Sequence, residues 1–185
     1  MVLMSTPLVN HKFKIPDFKL KSTDGIYVSL DTVRGKNGTI IMFICNHCPY
    51  VKAIINEIVK ITEQIKKLGF GIVAIMPNDT ATYVEDSFEN MKIFSKENCF
   101  NFPYLFDDDQ MVAKKFDAVC TPDFFCFNKK GLLQYRGRIF EMKNLVPVNP
   151  KQNELLSAIK LIATSGYGPK IQFPSIGCSI KWKKN

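Results

Sequence analysis

Thr39–Ile44 is an unbroken run of β-branched and other large apolar residues, and Phe70–Met76, ended by Pro77, is a second. Runs of that length without polar alternation read as strands covered on both faces, as in a parallel or mixed sheet. Between them the period changes. Val51, Ile54, Ile55, Ile58, Ile61, Ile65 and Leu68 recur every three or four positions, which predicts an amphipathic helix from Tyr50 to Leu68. Gly69 supplies its stop, and Lys66 and Lys67 suit the negative end of its dipole. Before this unit, Phe18–Leu20 and Tyr27–Leu30 flank Asp24-Gly25, a turn signal that predicts an N-terminal β-hairpin. After it come a helix near Asp86–Glu97, a short strand Tyr104–Phe106, and a helix capped by Asp107 or Asp108 that reaches Phe116. Phe124–Phe127 and Leu132–Arg138 pair around Lys129-Lys130-Gly131, and Asn149-Pro150 opens a last helix that Gly166 ends. Strands alternating with helices argue for an α/β domain of three layers.

The chain has 185 residues, enough for one domain with its own core and without disulfide staples. The expected organisation is an N-terminal extension over residues 1–12, one domain over 13–166 and a C-terminal tail over 167–185. A 46% hydrophobic content with mixed charges excludes wholesale disorder. No apolar run approaches the roughly 18 residues of a membrane span, and Met1–Asn10 carries no export-signal pattern, so a cytoplasmic location is expected. The formal charge of +8 comes from lysines scattered over helical surfaces, with no nucleic-acid-binding module beside them. His11 has no partner pattern.

Six cysteines change the picture. Cys45-Asn46-His47-Cys48 lies where the first buried strand meets the long helix, with Pro49 in the first turn, where no amide hydrogen is needed. The amides and dipole at a helix start stabilise a thiolate, and His47 adds a positive charge when protonated. The reading is that Cys45 attacks, with a pKa lowered below about 8.5, and Cys48 resolves the mixed disulfide. A zinc site would need a second close pair, and Cys99, Cys120, Cys126 and Cys178 do not supply one, so no metal is expected. Cys120 and Cys126 read as core residues. Cys178 is either a third redox thiol exchanging with the Cys45–Cys48 disulfide or an inert thiol packed near Trp182. Thr121-Pro122, just before the strand that starts at Asp123, is the other informative point. A cis proline there would expose the preceding backbone to a bound peptide or disulfide, whereas a trans proline would simply open a strand.

Phe43-Ile44-Cys45-Asn46-His47-Cys48-Pro49 before a helix, with Thr121-Pro122 downstream, resembles the thioredoxin fold. Ile15-Pro16-Asp17-Phe18, Phe102-Pro103-Tyr104-Leu105-Phe106-Asp107 and Thr121-Pro122-Asp123-Phe124-Phe125 narrow this to the redoxin branch, which includes the AhpC/TSA peroxiredoxins. The tail Gly177-Cys178-Ser179-Ile180-Lys181-Trp182 is similar to that of a bacterial redoxin subgroup carrying the same Asn-His motif. The resemblance implies a central mixed sheet, Cys45 as nucleophile, Cys48 as resolving thiol, and Pro122 in cis, with Asn46, His47, Pro49, Thr121 and Asp123 supporting the site. It implies no bound flavin, haem or metal.

Two departures bear on mechanism. Thioredoxins carry a buried acid in the strand before the motif, and Thr39–Ile44 has none, leaving Asp123 as the nearest candidate proton acceptor. Matching Cys48-Pro49 to a peroxidatic cysteine puts Ile41 and Cys45 at the places of the family's proline and threonine, so the peroxide-binding hydroxyl is missing; Arg136 or Arg138 would have to supply the charge. The expected function is thiol–disulfide exchange on a disulfide-bearing protein or small molecule, with a cellular dithiol as reductant. Hydroperoxide reduction and a non-catalytic redox-sensing or binding module are the alternatives.

Overall fold

The computed structural model of the chain describes residues 2–149 and 152–184. In chain order the elements are β1 (Leu3–Ser5), β2 (Lys19–Ser22), β3 (Tyr27–Ser29), α1 (Leu30–Val33), β4 (Gly38–Phe43), α2 (Pro49–Lys67), β5 (Phe70–Met76), α3 (Phe88–Glu97) and β6 (Tyr104–Phe106). They continue with α4 (Met111–Lys115), β7 (Cys120–Thr121), β8 (Asp123–Asn128), β9 (Leu133–Gly137), β10 (Met142–Lys143), β11 (Val146–Pro147), α5 (Glu154–Ser165) and β12 (Ile176–Ser179).

Seven strands form the main sheet in the order β3-β2-β6-β5-β4-β8-β9. β4, β5 and β6 run parallel and the outer pairs are antiparallel, which makes the sheet mixed. Side-chain alternation along β4 and β8 splits the core in two. Ile40, Met42, Phe124 and Cys126 pack with the apolar stripe of α2 and with Leu155, Ile159 and Ile162 of α5. Ile41, Phe43, Phe125 and Phe127 pack on the other side with Leu30 of α1 and Val112 and Ala113 of α4. This is a three-layer α/β/α thioredoxin-like fold. Ile54, Ile58, Ile61 and Ile65 of α2 are all buried, so truncating one to alanine costs about 2–5 kcal/mol.

The periodic elements lie where the pattern puts them, and the ends differ for local reasons. Gly69 follows α2 at φ 78°, a left-handed position that favours glycine, and its amide closes the helix on the Lys66 carbonyl. β3 stops at Ser29 because Leu30 begins a short helix. The helix expected at Asp86 begins at Phe88, where the Ser87 hydroxyl accepts from the Asn90 amide, while Val84–Asp86 forms a separate 3₁₀ turn. Gln110 is the cap of α4, but Asp107 takes up the amides of Val112 and Ala113. The last helix opens at Glu154 with Asn153 accepting from the Leu156 amide. Asn149 is therefore not its cap, and Pro150 lies outside the described residues.

The segments at the two ends of the sequence meet in a second, three-stranded sheet ordered β1-β12-β7. In its middle strand Cys178 is in register with Leu3 on one side and Thr121 on the other. This small sheet places the C-terminal tail over the start of α2. Among the described residues no helix is long and apolar enough to cross a membrane.

Candidate active site

Strand β4 delivers the chain to Cys45, and Cys48 is the N-cap of α2, with Pro49 as first helical residue and the Lys52 amide bonded to the Cys48 carbonyl. Both cysteines are fully buried, and Cys178 is 1% exposed. No disulfide joins the described cysteines.

Three partners surround Cys48. As a thiol it donates to the Thr121 carbonyl at 3.1 Å; its Sγ lies 2.7 Å from that of Cys178; and Cys45 adjoins it. The Thr121–Pro122 bond is cis, as the resemblance implies, and the Thr121 hydroxyl lies 3.2 Å from Cys45 Sγ. A hydrogen bond from Cys178, then one from Cys45, hold Cys48 well below the usual thiol range, with help from the backbone amides of Cys178 and Val51. Cys45 goes the other way. Burial pushes its thiol well up, and the neighbouring Cys48 and Asp86 add to the rise. The expectation of a lowered Cys45 is thus corrected: strand β4 runs it into the core, whereas Cys48 caps the helix.

Asn46 and His47 are held by Asp86, which the sequence reading did not connect to the motif. Asp86 Oδ1 accepts from the amides of Asn46 at 2.8 Å and His47 at 3.3 Å. Its Oδ2 contacts His47 Nδ1 at 2.6 Å and accepts from the Asn78 side chain at 2.7 Å. This hydrogen bond raises the His47 pKa, partly opposed by burial. The imidazole also stacks on Tyr83, with centroids 5.6 Å apart. Asn46 spans the pocket, donating to the Glu85 carbonyl and accepting from the Tyr104 hydroxyl at 2.9 Å. Cys45, His47 and Asp86 lie close enough together to suggest a cation site. The carboxylate already receives four hydrogen bonds, so the cluster is built to hold the motif rather than an ion.

Asp123 is not at the sulfurs. It stands next to Phe124 on β8, so its side chain takes the opposite face of the sheet from the thiol cluster, where Arg136 grips both oxygens at 3.3 and 2.8 Å. Burial pushes Asp123 up to about 6, against the pull of Arg136. Its expected service as proton acceptor for Cys48 has no geometric support. Arg136 also donates to the Asp117 carbonyl and stacks on Phe125, and Arg138 is taken up by Glu154. Cys126 and Cys120 are buried thiols in the core, as their settings suggested, and Cys99 sits exposed in a loop.

A family model for the AhpC/TSA family matches residues 12–136, which takes in the motif, Asp86, the cis proline and Arg136. The chain belongs to the AhpC/TSA family. As a redoxin it is an oxidoreductase. A search of the curated proteins finds no match. Among solved structures, a conserved protein from Geobacillus kaustophilus is 40% identical over 100% of this chain and 98% of its own, with a TM-score of 0.92. A hypothetical protein from Sinorhizobium meliloti 1021 is 30% identical over 98% and 99%, with a TM-score of 0.90. The thioredoxin domain of a thiol-disulfide oxidoreductase from Bacteroides vulgatus shares the fold at 19% identity, covering 68% of this chain and 86% of that one, with a TM-score of 0.57. The first two match the chain end to end, so the fold similarity extends through the tail.

Proposed function

We propose that this redoxin is a thiol–disulfide oxidoreductase in which Cys48 is the attacking thiolate. The observation that carries this is the position of Cys48 Sγ: at the cap of a 19-residue helix, against the carbonyl of the cis Thr121–Pro122 bond, with two further thiols beside it. The helix start and the neighbouring thiols lower the cost of the negative charge. The cis bond presents the Thr121 backbone to an extended chain that carries a disulfide. Cys48 attacks one sulfur of that disulfide, forms a mixed disulfide and releases the other sulfur as a thiolate. A neighbouring thiol then displaces the remaining substrate sulfur, and a cellular dithiol returns the protein to its reduced form. Asn46, His47 and Asp86 fix the loop that carries the sulfurs, and Pro49 starts the helix without needing a hydrogen-bond partner.

The peroxidase reading has less support. A thiol peroxidase needs a cation close to the sulfur, and Arg136 and Arg138, the two candidates for that charge, are committed to carboxylates elsewhere. The test is catalytic reduction of insulin by a dithiol, beside stopped-flow mixing with hydrogen peroxide and an alkyl hydroperoxide. We expect insulin turnover that Cys48→Ser abolishes, and peroxide consumption no faster than that of an ordinary thiol. Fast peroxide consumption without disulfide turnover would reverse the assignment, and a single oxidation with no turnover would favour a sensor.

A further inference from the structure

We infer that the C-terminal strand is a built-in substrate mimic, and that Cys178 is the thiol that resolves the mixed disulfide on Cys48. The inference rests on Cys48 being the attacking thiolate, as proposed above.

β12 pairs with β7 as an extended peptide substrate would, antiparallel along the backbone that precedes the cis proline. The register sets Cys178 opposite Thr121, the residue whose carbonyl contacts Cys48. The fit extends to the preceding residue. A Cβ on Gly177 would lie 2.2 Å from the Thr121 oxygen and 3.0 Å from the Pro122 nitrogen, so only glycine lets the strand approach this closely. Both ends of the strand are tied down. Ser175 exchanges hydrogen bonds with Thr6 and donates to the Gly137 carbonyl. Lys181 donates to Asn78 and accepts from Gln110 and the Asp79 amide. The strand therefore has one defined seat, and in that seat the two sulfurs are 2.7 Å apart. With all three thiols at most 1% exposed, a substrate reaches Cys48 only when the strand lifts.

With the strand lifted, Cys48 loses the hydrogen bond from Cys178 and keeps the helix start and Cys45 to hold its charge; its thiolate attacks a disulfide R–S–S–R′, giving Cys48–S–S–R and R′–S⁻. Cys178 gives up its proton to solvent while the strand is lifted, the strand reseats, and the Cys178 thiolate attacks Cys48 Sγ. The Cys48–Cys178 bond forms as the Cys48–S–R bond breaks, releasing R–S⁻. One substrate disulfide is reduced to two thiols, one internal disulfide forms, and a cellular dithiol reduces it. Cys45 is less well placed for the resolving step. Its sulfur is turned to the Thr121 hydroxyl, and burial is the first cause that raises its pKa. The rise at Cys178 comes first from its hydrogen bond to Cys48, and that cause disappears once Cys48 carries the substrate sulfur.

The test is rapid quenching and mass mapping of the full chain after one equivalent of oxidised glutathione, in the native protein and in Cys178→Ser and Cys45→Ser. The expected result is a Cys48–Cys178 disulfide in the native protein and in Cys45→Ser. In Cys178→Ser a glutathione adduct on Cys48 should persist roughly tenfold longer or more. Gly177→Ala, which lifts the strand, should speed alkylation of Cys48 and slow resolution. If Cys178→Ser clears its adduct at the native rate through a Cys45–Cys48 bond, Cys178 is not the resolving thiol, although Cys48 remains the nucleophile. If no variant forms an adduct on Cys48, the attacking-thiolate assignment falls, and this inference falls with it.

Discussion

Two carboxylates, Asp86 and Asp123, are equally buried on opposite sides of the sheet, and they are satisfied in different ways. Asp123 is gripped by one guanidinium, itself buried and stacked on Phe125. Asp86 is held by two backbone amides, an amide side chain and an imidazole that titrates. The first arrangement is a closed ion pair on the face of the sheet away from the thiols. The second leaves the local charge dependent on the protonation of His47, one residue from Cys48. Buried charge near a reactive sulfur is thus coupled to a group that can respond to pH, while the structural pair is kept away from it.

The largest effect that tests this contrast should come from Arg136→Met. Removing the guanidinium strands a buried carboxylate and should cost about 3–5 kcal/mol in chemical denaturation, with the alkylation rate of Cys48 unchanged. A matching change in Cys48 reactivity would show that the two regions are not separate. Asp86→Asn should cost less, about 1–3 kcal/mol, because part of the hydrogen bonding survives. In an NMR titration it should return His47 from its raised value towards about 6.5. A His47 that titrates as before would remove Asp86 as the cause.

The pH windows sharpen the comparison further. His47 is raised on folding, so the stability from its pairing with Asp86 is fully present below about pH 6.5 and is lost as pH rises through the folded value. The stability gap between native protein and Asp86→Asn should therefore narrow on the alkaline side. Asp123 is also raised, from 3.8 to about 6, so the folded state holds its proton more tightly than the unfolded chain. Its contribution weakens as pH climbs between those values and is flat above them, so it opposes neither the sign nor the alkaline direction of the His47 effect. The smallest effect should come from Tyr104→Phe, which removes the donor to Asn46 and should cost about 0.5–1.5 kcal/mol by the same denaturation measurement.

Much of the frame was legible because its signals are local. The runs at Thr39–Ile44 and Phe70–Met76, the stripe of α2 and the stops at Gly69 and Gly166 each state a period or a break within a few residues. The short helix at Leu30 and the late start of α5 were not legible, because a single capping side chain decides them. At the site, the cysteines and Thr121 that the sequence singled out lie together at the start of α2, Asp123 does not join them, and which cysteine caps the helix was left open. Cys45-Asn46-His47-Cys48 reads the same whether the first or the second cysteine caps the helix. The one-residue placement of Pro49 after the cap gives that position to Cys48.

The sequence by itself determined the strand–helix junction, the sulfur pair within it, and a tail cysteine in a Gly-Ser setting. Periodicity, breakers and a short motif act over one or two turns of chain. Only the tertiary structure decided that Asp86, 39 residues beyond His47, would hold the motif, and that Cys178, 130 residues beyond Cys48, would meet it. It also sent Asp123 to the far face. Those outcomes depend on strand register and on which side of a pleat a residue falls, and a shift of one residue in register reverses the face.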